Sequence, residues 1–134
     1  MSRYVYYQPN KKDIKDKYGD CTIRALSKAL NCSWVDAFKA EIPFCIEYQA
    51  SNIFDTPIQQ RKEILNKLGF DYAGISVRSG KARPTVADFA KQNPKGTYIC
   101  NVAHHVVTVV DGKYYDTWDS GRCSMYGYFI KRES

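Results

Sequence analysis

The chain reads as one α+β domain, with helices gathered toward the N-terminus and packed on an antiparallel β-sheet built from the C-terminal part. Three observations carry this. Segments with helical periodicity and capping residues fill much of residues 21–92. A long β-branched run, TYICNVAHHVVTVV, begins at Thr97. Asp111-Gly112, followed by KYYDTW, is a two-residue hairpin turn with its return strand. Helices first and strands last is the pattern of segregated α+β folds.

The elements follow in order. Residues 1–19 form an extended segment and then a charged loop, punctuated by Pro9 and Gly19. Asp20 is placed to cap a helix over 21–30, whose Ile23, Leu26 and Leu30 share one face, and Asn31 stops it. Ser33, with Asp36 three residues on, resembles a capping box and opens a second helix. That helix runs to about residue 41, before Pro43, a helix breaker. Residues 43–55 show no clear pattern. Thr56-Pro57 reads as a cap followed by proline at the first helical position, and Gly69 ends that helix. A strand follows over 70–78 and a loop over 79–84. Thr85 and Asp88 cap a short helix over 86–92, and Pro94 and Gly96 turn the chain into the β-run. MYGYFI supplies a last strand.

The length of 134 residues with 44% hydrophobic content suits a single domain spanning 1–134 with a real core. No apolar run approaches the ~18 residues of a membrane helix, so no membrane partner is expected. The segment MSRYVYYQPNKK lacks the apolar stretch of a secretory signal, which makes the bacterial or viral (host-cell) cytoplasm the default location. The five cysteines, Cys21, Cys32, Cys45, Cys100 and Cys123, are odd in number and show no CxxC spacing. That argues against structural zinc and against a disulfide framework, and no cofactor is called for. Cys32, Cys45 and Cys100 sit in apolar contexts and read as core thiols. The net charge of +6 is scattered. Lys11, Lys12, Lys15 and Lys17 cluster around Asp13 and Asp16, and Arg78, Lys81 and Arg83 form a smaller group. Both read as solvated surface rather than a nucleic-acid footprint.

The chemistry centres on Cys21, which follows Tyr18-Gly19-Asp20 at a helix N-terminus. A helix N-terminus and a nearby imidazolium both favour thiolate over thiol, taking a cysteine pKa from about 8.5 to roughly 3.5–7.5. Within the β-run, His104-His105 begins a stretch of β-branched residues, and Tyr115-Asp116-Thr117-Trp118 follows the hairpin turn. With Asp111 and Gly112 as the turn, Val110 faces Lys113, Val107 faces Asp116, His105 faces Trp118 and His104 faces Asp119. His105 and Asp116 are then diagonal neighbours on one face, and His104 and Asp119 stand directly opposite on the other. The register offers both His–Asp pairs. Arg24, one turn after Cys21, suits a surface salt bridge or a substrate carboxylate.

His105-Val-Val-Thr-Val-Val with Asp116-Thr117-Trp118, and Gly19-Asp20-Cys21 leading into Ala25-Leu26-Ser27, resemble the papain-like cysteine peptidases. Tyr7-Gln8-Pro9-Asn10, Gly19-Asp20-Cys21-Thr22-Ile23-Arg24-Ala25 and the late Asp111-Gly112-x-x-x-Asp116-Thr117-Trp118 resemble small papain-like proteins of phages and bacteria over most of the chain. The resemblance implies a papain-like fold and a peptidase, isopeptidase or amidase working through an acyl-enzyme on a peptide or protein. In it, Cys21 is the nucleophile, His105 the base, Asp116 the orienting group in place of asparagine, and Trp118 the shield of the His–Asp bond. The family's oxyanion glutamine, six residues before the cysteine, is Lys15 here, leaving Asn10 and Gln8 as replacements. The alternative is a non-catalytic papain-like module that binds a host protein or nucleic acid through the basic N-terminal loop.

Overall fold

Six strands form one mixed sheet in the computed structural model, which describes residues 2–77 and 79–133. They are β1 (Tyr4–Tyr6), β2 (Phe70–Gly74), β3 (Thr97–Val102), β4 (His105–Val110), β5 (Lys113–Asp116) and β6 (Gly127–Lys131), in the order β1-β5-β4-β3-β6-β2. All neighbours are antiparallel except β1, which lies parallel to β5 with Tyr6 beside Asp116. The class is thus α+β, but the sheet is not confined to the C-terminal part. β1 and β2 come from earlier in the chain and form its two edges.

Alternation along the strands sorts side chains onto two cores. Ile99, Val106 and Phe129 face α1 (Cys21–Leu30), α2 (Trp34–Tyr48) and α3 (Ile58–Lys67), where Leu26, Ala29, Ala37, Ile64 and Leu65 are buried. Cys100, Val107, Val109 and Tyr114 face the other way, against Val86, Phe89 and Ala90 of α4 (Val86–Gln92) and Met125. The sheet is therefore covered on both faces.

Most helix boundaries follow the sequence signals. Asn31, at φ 54°, closes α1, and Gly69, at φ 102°, follows α3. Thr85 and Asp88 make both bonds of a capping box. Three signals resolve differently. Asp20 does not cap α1, since its carboxylate is taken by Trp34, Asn10 and Arg24. Thr56 donates its hydroxyl to the Ile53 carbonyl at 2.7 Å, so Pro57 becomes the residue before the helix. Pro43 does not end α2 but sits inside it. A helical proline forfeits one backbone bond at a cost of about 3 kcal/mol. Offsetting this, Phe44, Cys45 and Tyr48 beyond it pack on the core, and buried Glu41 accepts the Ile53 amide at 3.1 Å.

The β-run folds back on itself. Ala103 and His104 turn the chain between β3 and β4, with Val102 paired to His105 and His104 at φ 54°. A continuous strand of that length would reach roughly 45 Å, far beyond the usual five or six residues. Asp111 and Gly112, at φ 48° and 80°, make the expected hairpin, with Val110 opposite Lys113. Of the cysteines read as core thiols, Cys100 is fully buried, while Cys32 and Cys45 are half-buried. Lys11, Lys12, Lys15 and Lys17 are exposed, because buried Asp13 folds their loop by accepting the Lys17 and Tyr18 amides at 2.8 and 2.9 Å. Arg83 lies over the Tyr126 ring, and Arg78 falls outside the described residues. Among those residues no helix is long and apolar enough to cross a membrane, and no group of three metal-ligating side chains occurs.

Candidate active site

Two local features bring Cys21 and His105 to the same end of the molecule. α1 packs along β4, with the Thr108 hydroxyl donating to the Ala25 carbonyl at 2.7 Å. Ala25 lies four residues into α1, about 6 Å from its start, and Thr108 three residues into β4, about 10 Å from its start. The two N-termini therefore lie close together, with Cys21 on one and His105 on the other. β5 runs antiparallel to β4, so its last residue, Asp116, arrives beside the start of β4.

His105 Nε2 and Asp116 Oδ2 are 2.6 Å apart. Nδ1 is the ring nitrogen left to face the Cys21 thiol, and the two groups are close enough that each shifts the other's titration. Asp116 is only 3% exposed and fully engaged. It accepts the Ser120 hydroxyl and the Thr117 amide, both at 2.8 Å, and Arg24 Nη2 lies 3.6 Å from its other oxygen. Trp118 lies against His105 with ring centroids 5.1 Å apart, and it is 48% exposed. It is therefore a cover on the imidazole and not part of the core.

The second His–Asp pair is not formed. His104 is exposed in the β3–β4 turn, and Asp119 accepts the Tyr114 hydroxyl at 2.5 Å and the Gly121 amide at 3.1 Å.

The charges couple. Burial pushes the Cys21 thiol up. The hydrogen bond and charge of His105, the Val106 amide and the Arg24 charge outweigh it, and the thiol falls below its ordinary 9.0. Burial also pushes His105 down. The Asp116 bond, the Cys21 bond and both negative charges outweigh that, and the imidazole rises from 6.5 to about 9. Each group thus favours the charged form of the other, which shifts the pair toward thiolate and imidazolium. The other thiols move the opposite way: burial raises Cys32, Cys45, Cys100 and Cys123.

Asn10 and Gln8 are not among the residues lining the cavity beside Cys21. The Gln8 amide donates to Asp16 at 2.9 Å, and Asn10 is buried with its amide 3.4 Å from Asp20. Both side chains shape the loop that precedes α1. The cavity, of about 380 Å³, is lined by Cys21, His105, Asn101, Asn52, Phe54 and Arg61 among others. Asn52 Oδ1 accepts the Thr22 hydroxyl and the Phe54 amide, which leaves its Nδ2 as an amide donor at the cavity wall. Because no side chain caps α1, the backbone N–H groups of its first turn also remain available.

Sequence reasoning missed Ser120, Asn52 and the part played by Arg24. Arg24 is not at the surface, nor is it among the residues lining the cavity. It is 8% exposed, bonded to Asp20 and turned toward Asp116. The Asp20–Arg24 spacing of one helical turn was the available signal. Replacing Arg24 by Met takes the cation from buried Asp20 and from the neighbourhood of Asp116, which costs about 3–5 kcal/mol for a broken buried pair. For a chain of this size that lowers Tm by roughly 10–20 °C. The same change removes a positive charge near Cys21, so the alkylation midpoint of that thiol moves to higher pH. Calorimetry and a labelling titration check this, and an unchanged Tm would show that Arg24 carries no such load.

Comparison of the chain with family models, with curated proteins and with solved structures finds no match.

Proposed function

We propose that this chain is a cysteine-nucleophile hydrolase with a papain-like arrangement of Cys21, His105 and Asp116, cleaving an amide bond of a peptide or protein through an acyl-enzyme. The observation that carries the reading is that Cys21 and His105 line one cavity while His105 Nε2 lies 2.6 Å from buried Asp116. A nucleophile, a base and an orienting group in hydrogen-bond reach at the wall of an open cavity is the constellation that acyl transfer requires. The chain order Cys–His–Asp and the cover of Trp118 over His105 support the papain-like form of it.

The chemistry then proceeds in two halves. The Cys21 thiolate attacks the carbonyl carbon and forms the S–C bond. The C–N bond breaks as the His105 imidazolium gives its proton to the leaving nitrogen. Neutral His105 next takes a proton from water, whose oxygen attacks the thioester. The acid leaves, and thiolate and imidazolium are restored. The Cys21 backbone N–H and the Asn52 amide hold the oxyanion, a role in which one lost donor typically costs about 10²–10³ in rate.

Asp116→Asn and Asp116→Ala test the reading together. The amide keeps an acceptor for His105 but loses the charge that stabilises the imidazolium, so kcat/KM falls by roughly one to two orders of magnitude. Alanine loses the bond as well and falls further. Asp119→Asn, a control whose carboxylate serves Tyr114 and Gly121, retains wild-type turnover. The comparison uses a peptide-amide substrate selected from a library. Wild-type rates for both Asp116 variants alongside an inactive Asp119→Asn would overturn the assignment.

A further inference from the structure

The cavity that Cys21 lines also holds a cation, Arg61, with an unmet donor. Arg61 stands in the first turn of α3, and its Nη2 donates back to the Thr56 carbonyl at 2.7 Å. Its Nε is buried and has no hydrogen-bond partner among the described residues. None of the four ion pairs formed by those residues includes it. Asp55 lines the same cavity, but it is exposed and beyond ion-pair distance. Buried polar groups are almost always satisfied, and a guanidinium left open in a cleft is suited to a planar, bidentate acceptor.

We propose that Arg61 is a specificity residue that binds a carboxylate on the acyl side of the substrate, so that the preferred substrates are acidic peptides. The proposal rests on the cysteine-nucleophile reading, since Cys21 and Arg61 line one cavity. Phe54 and Asn52, which line the same cavity, supply an apolar surface for the acyl chain and an amide for its carbonyl. Arg61 is the one lysine or arginine among the residues lining that cavity, where exposed Asp55 is the carboxylate.

The test uses two pairs of acetyl-capped dipeptidyl vinyl sulfones. One pair carries glutamate or glutamine next to the electrophile, and the other carries the same alternatives one residue further away. The rate of Cys21 labelling by each is measured on the full chain. At one of the two positions the glutamate probe should react about tenfold faster or more, as a charge-assisted bond allows, and raising the salt should shrink the preference. Arg61→Gln should equalise the pair, and Arg61→Lys should keep part of the preference. Equal rates at both positions in the wild type overturn the proposal whatever the variants do, and so does a preference that survives Arg61→Gln. In either case labelling of Cys21 leaves the nucleophile reading standing. Failure of all four probes to label Cys21 overturns that reading and the proposal with it.

Discussion

Cys21→Ala is expected to lower turnover of any amide substrate by roughly 10⁴–10⁶-fold, the scale on which removing a covalent nucleophile acts. No other thiol can substitute. Cys100 is fully buried, and burial raises Cys32, Cys45 and Cys123. The loss should come without unfolding. Cys21 stands at the open end of α1, half-exposed, and the helix is held from its other residues: Leu26 and Ala29 in the core, Ala25 through Thr108, and Ser27 through the Cys32 carbonyl. A Tm within a few degrees of wild type, together with a dead enzyme, is the expected pair of results. A folded Cys21→Ala variant that still turns over would remove the thiol from the mechanism.

His105→Ala carries the second largest effect. General acid–base catalysis alone accounts for about 10²–10⁴ in rate. Here the imidazole also holds the thiol as thiolate, so nucleophile and acid are lost together. Without it, burial is the leading influence on Cys21, and the thiol moves back up. His104→Ala should lose far less activity, because that side chain, although it lines the cavity, has no carboxylate partner within ion-pair distance among the described residues. Steady-state kinetics on the two variants, with the wild type alongside, decides it. If His104→Ala is the inactive variant, the relay runs through the wrong histidine.

The two histidines show how far the sequence reaches. The Asp111-Gly112 turn fixes the register of β4 against β5, and from it His105 and Asp116 come out as diagonal neighbours. That same register also pairs His104 with Asp119. What separates the pairs is the turn at Ala103-His104, which lifts His104 off the sheet. No glycine, proline or Asx residue stands in that turn, so periodicity runs straight through it. The end of α2 was hidden for a similar reason. Local propensity stops a helix at Pro43, whereas packing of Phe44 and Tyr48 on a core assembled from distant strands carries it onward. Arg24 reads as a surface residue from sequence because arginine is seldom buried unless paired. Its partner Asp116 lies far along the chain and comes near only once β5 is in place. Asn52 and Arg61 fall on stretches whose approach to Cys21 is tertiary, and neither carries a local motif. Cys21 itself, the helix it opens and the hairpin turn at Asp111-Gly112 were legible, since each rests on neighbours in sequence.

Whether His105 holds Cys21 toward the thiolate is read from the rate of Cys21 alkylation by iodoacetamide as a function of pH. Mass spectrometry resolves the five cysteines in one experiment. The Cys21 pKa lies below 9.0, so its thiolate persists to lower pH than that of an ordinary thiol, and the His105 pKa of about 9 keeps the imidazolium beside it up to that pH. At pH near 7 an ordinary thiol is only a few per cent ionised. Cys21 should therefore react about tenfold faster or more than Cys32, Cys45, Cys100 and Cys123, with a midpoint below theirs that rises in His105→Ala. Above pH 9 alkylation should continue while hydrolysis declines, because the thiolate remains and the proton donor is gone. A Cys21 that reacts no faster than the other four, with an ordinary midpoint indifferent to His105, would contradict the account.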